Sequence, residues 1–90
     1  MNIYLLDGKD MTSREKTYRV IERTMNFPDW FGHNLDALAD CLSDLPGDNT
    51  AVVFVNTDAL AEHLGPYAEK MLACFRDVSG EYGITWLEKA

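Results

Sequence analysis

Residues 51–55, Ala51-Val52-Val53-Phe54-Val55, form an unbroken apolar run near the middle of the chain. A strand with no polar alternation reads as buried on both faces, as in a parallel sheet. Parallel neighbours cannot be joined by tight turns; each connection must cross over, usually through a helix. Two further short runs qualify as partners. Ile3-Tyr4-Leu5-Leu6 ends at Asp7-Gly8, and Ile84-Thr85-Trp86-Leu87 lies near the end of the sequence. The intervals between the three runs carry helical patterns.

Thr12 is the expected N-cap of a first helix, with Glu15 three residues on completing a capping box. That helix should run to about Met25, burying Tyr18, Ile21 and Met25 and leaving Arg14, Lys16, Arg19, Glu22 and Arg23 mostly solvated. Asn26 suits its C-cap, and Pro28 forbids continuation. Asn34 should cap a second helix reaching about Leu45, followed by a turn over residues 46–49. Asp58 suits the cap of a short helix over 59–63, and Gly65-Pro66 opens another that buries Met71, Leu72, Phe75 and Val78 and stops at Gly80. The order is β-α-α-β-α-α-β, an α/β fold with a three-stranded parallel sheet and right-handed connections. Ninety residues make one small domain, 1–90.

Other classes are excluded or disfavoured early. No apolar run approaches the ~20 residues of a membrane helix. The start has no basic segment and meets Asp7 early, which argues against a signal peptide and for the cytoplasm. Cys41 and Cys74 have neither disulfide-scaffold nor zinc spacing and read as two ordinary thiols. Met25, Phe54, Met71 and Phe75 read as core, and Trp86 as core or sheet edge.

The net charge of −7 is unevenly placed. Between Thr24 and Glu69 there is no Lys or Arg, while Asp29, Asp36, Asp40, Asp44, Asp48, Asp58, Glu62 and Glu69 all fall there. The remainder is nearly neutral. Such a field disfavours nucleic acid and anionic membranes and attracts a cationic partner.

The second helix concentrates this asymmetry. At 100° per residue, Leu35, Leu38, Leu42 and Leu45 share one stripe of about 80°. Asp36, Asp40 and Asp44 share another, roughly opposite. Most charged helix faces are simply solvated. This one has a single sign, with like charges at i,i+4 that repel. Asp44 also opposes the helix dipole at the C-terminal end. The preceding loop sets Trp30 and Phe31 beside the acids, where solubility has no use for large aromatics. Broken local rules in one place point to a binding surface over residues 30–44.

Residues 28–42, Pro28-Asp29-Trp30-Phe31-Gly32-His33-Asn34-Leu35-Asp36-Ala37-Leu38-Ala39-Asp40-Cys41-Leu42, resemble the signature segment of the barstar family. Weaker likeness covers the rest: Asp7-Gly8 after the first strand, Phe75-Arg76-Asp77 in the last helix and a closing Ile84-Thr85 strand. The resemblance implies a two-layer barstar-like fold with strand order 1-2-3. It implies a non-enzymatic inhibitor or immunity protein that blocks the active site of a small basic, barnase-like ribonuclease. The free protein would be a monomer and the complex 1:1, with no cofactor or metal. Carried over by position, Asp40 matches the acid that enters the enzyme's phosphate pocket, Asp36 the first acid of the helix, and Trp30 an interface aromatic. Gly32, Asn34 and Leu35 match the loop and helix start that touch the enzyme, and Asp77 a peripheral acid. Phe31, Ala39, Ser43 and Asp44 complete the expected surface. Ala39 stands where barstar has a Trp between its helix acids, and no Trp occurs near Leu45-Pro46-Gly47. Lost aromatic area points to a related ribonuclease rather than barnase itself.

A ribonuclease gathers Arg, Lys and His around a phosphate-sized pocket, so a row of short carboxylates can present anions to those bases. Two other readings share some of these residues. One is an acidic adaptor for another basic protein. The other is a divalent-metal hydrolase using Asp36 and Asp40 with His33 or His63. The chain has no HExxH motif, and Ser13, Ser43 and Ser79 lie in no nucleophile elbow.

Overall fold

In the computed structural model, which describes residues 1–90, the order is β1 (Asn2–Asp7), α1 (Arg14–Met25), α2 (Leu35–Ser43), β2 (Thr50–Val55), α3 (Thr57–Leu64), α4 (Pro66–Tyr82) and β3 (Thr85–Glu88). The strands form one sheet in the order β1-β2-β3, and both pairings are parallel. The α/β class, element order and strand order are those expected.

Register decides what the sheet buries. Tyr4 pairs with Val52, Leu6 with Phe54, and Val52 with Trp86. Laterally paired residues point to the same side, so these side chains share a face. That face is dry: Leu6, Val52 and Phe54 have no exposed surface. They meet Tyr18 and Ile21 of α1, Leu38 and Leu42 of α2, Leu60 of α3, and Met71 and Phe75 of α4 in one core cluster. Trp86 packs against it, with its ring stacked on Phe75 at 5.2 Å.

The other face corrects the sequence reading. Leu5 pairs with Val53, and Val53 with Leu87. Leu5 is 61% exposed and Leu87 58%, while Val53 is half-buried. The sheet is therefore covered by helices on one side only, as the two-layer arrangement requires. The run at 51–55 resembles a doubly buried strand because central position and β-propensity both favour Val there.

Several boundaries also move. Ser13, not Thr12, caps α1: it is extended, and its Oγ accepts from the Lys16 N–H at 3.1 Å. Glu15 does not close a capping box; it pairs with Arg19 at 2.7 Å. α2 stops at Ser43, with Asp44 as its C-cap, short of Leu45. α3 begins at Thr57, ahead of Asp58, because Asn56 takes a left-handed conformation at φ 55° and turns the chain. The Asn56 amide donates to the Asp7 carboxylate at 2.8 Å, which with the Lys9 N–H holds that carboxyl below its usual range. α4 runs through Gly80 and ends at Gly83, where φ is 77°. Asn26 does cap α1 as expected, also left-handed.

Candidate partner-binding surface

α2 sits on α4, the largest helix–helix contact in the protein. Leu38, Cys41 and Leu42 face inward, and Asn34 starts the helix by accepting the Ala37 N–H at 2.8 Å. The 100° step then carries Asp36, Asp40 and Asp44 to the outside, and all three are exposed. None pairs with a Lys or Arg. The chain's ion pairs lie elsewhere: Arg19 with Glu15, and Arg76 with both Glu69 and Glu88. The row of carboxylates thus faces solvent with no internal counter-charge.

Burial, then the charges of Asp44 and Asp40, push the Cys41 thiol up. Burial, then Asp77 and Asp36, push the Cys74 thiol up. Cys74 lies on α4 with its Sγ 3.7 Å from the Leu35 carbonyl. Asp77 is exposed one turn beyond Cys74 on α4, and Asp36, Asp40 and Asp44 line the outer face of α2. Ala39 and Ser43 are half-buried along it. The Ser43 hydroxyl turns back and donates to the Asp40 carbonyl at 2.7 Å.

The loop before α2 is held from beneath. Trp30 stands out, 77% exposed, whereas Phe31 is only 5% exposed. The Phe31 ring packs 5.2 Å from Phe27 and 6.1 Å from Tyr18. Sequence reasoning set Phe31 on the outer surface; the structure turns it inward as the loop's anchor. Gly32 and Leu35 are half-buried, and the Gly32 carbonyl accepts the Asn34 N–H at 2.8 Å.

His33 and its neighbours are what the sequence did not reveal. The imidazole stacks on Tyr18 at 5.9 Å with only 10° between the planes. Its Nε2 lies 3.1 Å from the Glu22 carboxylate. Tyr18 in turn bonds to the Tyr67 hydroxyl, and Arg14 lies over the Tyr67 ring at 3.7 Å. Burial, then the Tyr67 hydrogen bond, raise the Tyr18 phenol pKa and keep it neutral. This stack ties the Trp30 loop to α1 and α4. His63 is on α3, where its Nδ1 donates to the Met11 carbonyl at 2.9 Å. Neither His joins the aspartates, and no three His, Cys, Asp or Glu side chains are placed to hold a metal ion. No helix is long and apolar enough to cross a membrane.

A family model described as Barstar (barnase inhibitor) matches residues 1–88. The Bacillus subtilis protein YrdF, whose name marks it as a candidate ribonuclease inhibitor, is 33% identical over 84 residues, or 90% of this chain and 89% of that protein. The match takes in all three strands and all four helices, α2 with its row of carboxylates among them, and the chain belongs to the barstar family.

Proposed function

We propose that this protein is a ribonuclease inhibitor that occludes the active site of a small basic ribonuclease, with α2 standing in for the RNA backbone. The observation that carries the reading is the solvent-facing row Asp36, Asp40 and Asp44, unpaired by any cation of the chain. A cleft built to hold phosphate offers guanidinium and ammonium donors that meet carboxylates in the same way. Asp40, at the centre of the row, enters deepest; Asp36 and Asp77 flank it on one side and Asp44 on the other. Trp30 covers the rim, and Gly32, Asn34, Leu35, Ala39 and Ser43 give the close-fitting surface between. Inhibition is steric, so no chemistry is required of this chain. A monomer binding 1:1 in the producing cell's cytoplasm would serve as immunity to a barnase-like toxin.

A panel of small basic ribonucleases is screened by RNA hydrolysis for one that the wild-type protein inhibits, and Asp40→Ala is tested against that enzyme with binding titrations, the same assay and thermal melts; inhibition of none overturns the reading. Loss of a desolvated charge at the centre of an interface should weaken binding by about 2 kcal/mol or more. The melting temperature should hold or rise, because like charges at i,i+4 are relieved. Binding within threefold of wild type would overturn the reading. Binding that leaves RNA hydrolysis untouched would make the protein an acidic adaptor instead.

A further inference from the structure

Beside the acid row, between the C-terminal ends of α1 and α2, the surface dips into a groove of about 180 Å³. Met25, Phe27, Pro28 and Leu45 give it apolar walls, and Trp30 and Asp44 line it too. We propose that this groove receives one arginine side chain of the bound ribonuclease, outside the phosphate pocket. The identity of the partner rests on the function proposed above; the chemistry of the groove does not.

Size sets the first limit. Small-molecule sites hold roughly 300–1,000 Å³, so this groove suits a single side chain rather than a metabolite. Its lining sets the second. A wholly apolar guest would strip water from Asp44 and give it no partner, which is costly for a carboxylate. An anion would meet Asp44 and the negative end of α2. That helix end carries no basic residue in its last turn, and no Lys or Arg of the chain lines the groove, so its partial negative charge is uncompensated. A guest with an apolar stem and a cationic head suits both the apolar walls and Asp44. The methylenes lie on Met25, Pro28 and Leu45, and the head reaches Asp44. Trp30 adds an exposed indole on which a cation can stack. Arginine is preferred to lysine because its planar fork both stacks on an indole and meets a carboxylate with two donors.

The test needs no ribonuclease at first. N-acetyl-L-arginine amide is titrated into the ¹⁵N-labelled protein and followed by NMR, with N-acetyl-L-norleucine amide as the apolar control. Saturable shifts are expected at the Trp30 indole N–H and the Asp44 and Leu45 amides, with millimolar affinity and at least threefold weaker binding of the norleucine compound. Asp44→Asn should weaken the arginine compound at least threefold, Trp30→Ala should abolish saturation, and Asp58→Asn, away from the groove, should change nothing. Absence of saturation, indifference to Asp44→Asn, or equal binding of the norleucine compound overturns the proposal. Against the ribonuclease that the wild type inhibits, Asp44→Asn and Trp30→Ala should each weaken binding at least fivefold, and the double variant should lose less than the product of the two. If Asp40→Ala left inhibition intact while the arginine compound still bound at Asp44, the reading of α2 as a phosphate mimic would fail and the groove would stand. If Asp40→Ala abolished inhibition while Asp44→Asn and Trp30→Ala bound like wild type, the groove would fail and the inhibitor reading would stand.

Discussion

Leu5 and Leu6 are adjacent in the chain and opposite in the fold. Leu6 has no exposed surface and touches the core; Leu5 is 61% exposed on the open side of the sheet. The pleat alone separates them, since successive side chains leave a strand on opposite faces. Leu6→Ala should cost 2–5 kcal/mol, on the order expected when a buried leucine leaves a cavity. Leu5→Ala should cost under about 1 kcal/mol, because only a minority of its area leaves water on folding. Urea denaturation of both variants measures the contrast, and similar midpoints would mean the register is wrong. The apolar run Ile3-Tyr4-Leu5-Leu6 hid this difference, because it has no polar residue to mark the outer face. The same single-residue logic governs Phe31 and Trp30, where one aromatic anchors the loop and its neighbour is left free to meet a partner.

At the scale of elements, the helix ends are less legible in the sequence than the helices themselves, each for a local reason. Thr12 and Ser13 are both good caps, and Glu15 three residues after Thr12 looked decisive. Glu15 instead spends its charge on Arg19, one turn ahead, so the frame shifts by one. Ser13→Ala should therefore lower stability by about 1 kcal/mol, while Thr12→Ala should change it by less than about 0.5 kcal/mol. Thermal melts of the two variants decide which residue holds the cap. Gly80 has the residue type of a helix stop, yet it lies exposed within α4 with open space around it and costs only helix propensity. The true stop, Gly83, takes a left-handed conformation that few other residues accept. α2 was the most legible element, since its cap, its leucines and its aspartates all fall within about a dozen residues and obey one period. The loop anchor was illegible for the opposite reason. Glu22 and His33 lie 11 positions apart and meet only because the left-handed Asn26 folds the chain back along α1. The arginine groove likewise draws on the end of α1, the loop and the end of α2, a combination no periodicity encodes.

For the whole molecule, the charge pattern becomes a statement about rates. The acids of residues 24–69 have no Lys or Arg among them, and the cations elsewhere are partly occupied: Arg19 by Glu15, Arg76 by Glu69 and Glu88. The molecule spans 32 × 28 × 18 Å, so at ~10 mM salt, where the Debye length is about 30 Å, a basic ribonuclease feels the acidic face from a full molecular diameter away. Near 0.5 M salt that reach shrinks to a few ångströms, while contacts already buried in the complex are screened far less. The association rate with the inhibited ribonuclease should therefore fall at least tenfold between these salt concentrations, with a much smaller change in the dissociation rate. Asp48 and Asp58 lie off the α2 row, so neutralising both as Asn should slow association modestly and leave dissociation unaltered. Asp40→Ala should do the reverse, acting mainly on dissociation, because its carboxylate is held in the interface rather than sensed from afar. Stopped-flow measurements across the salt series separate the two effects. A flat association rate would mean that the acid row makes contacts without guiding approach, and the uneven placement of charge along the chain would then need another explanation.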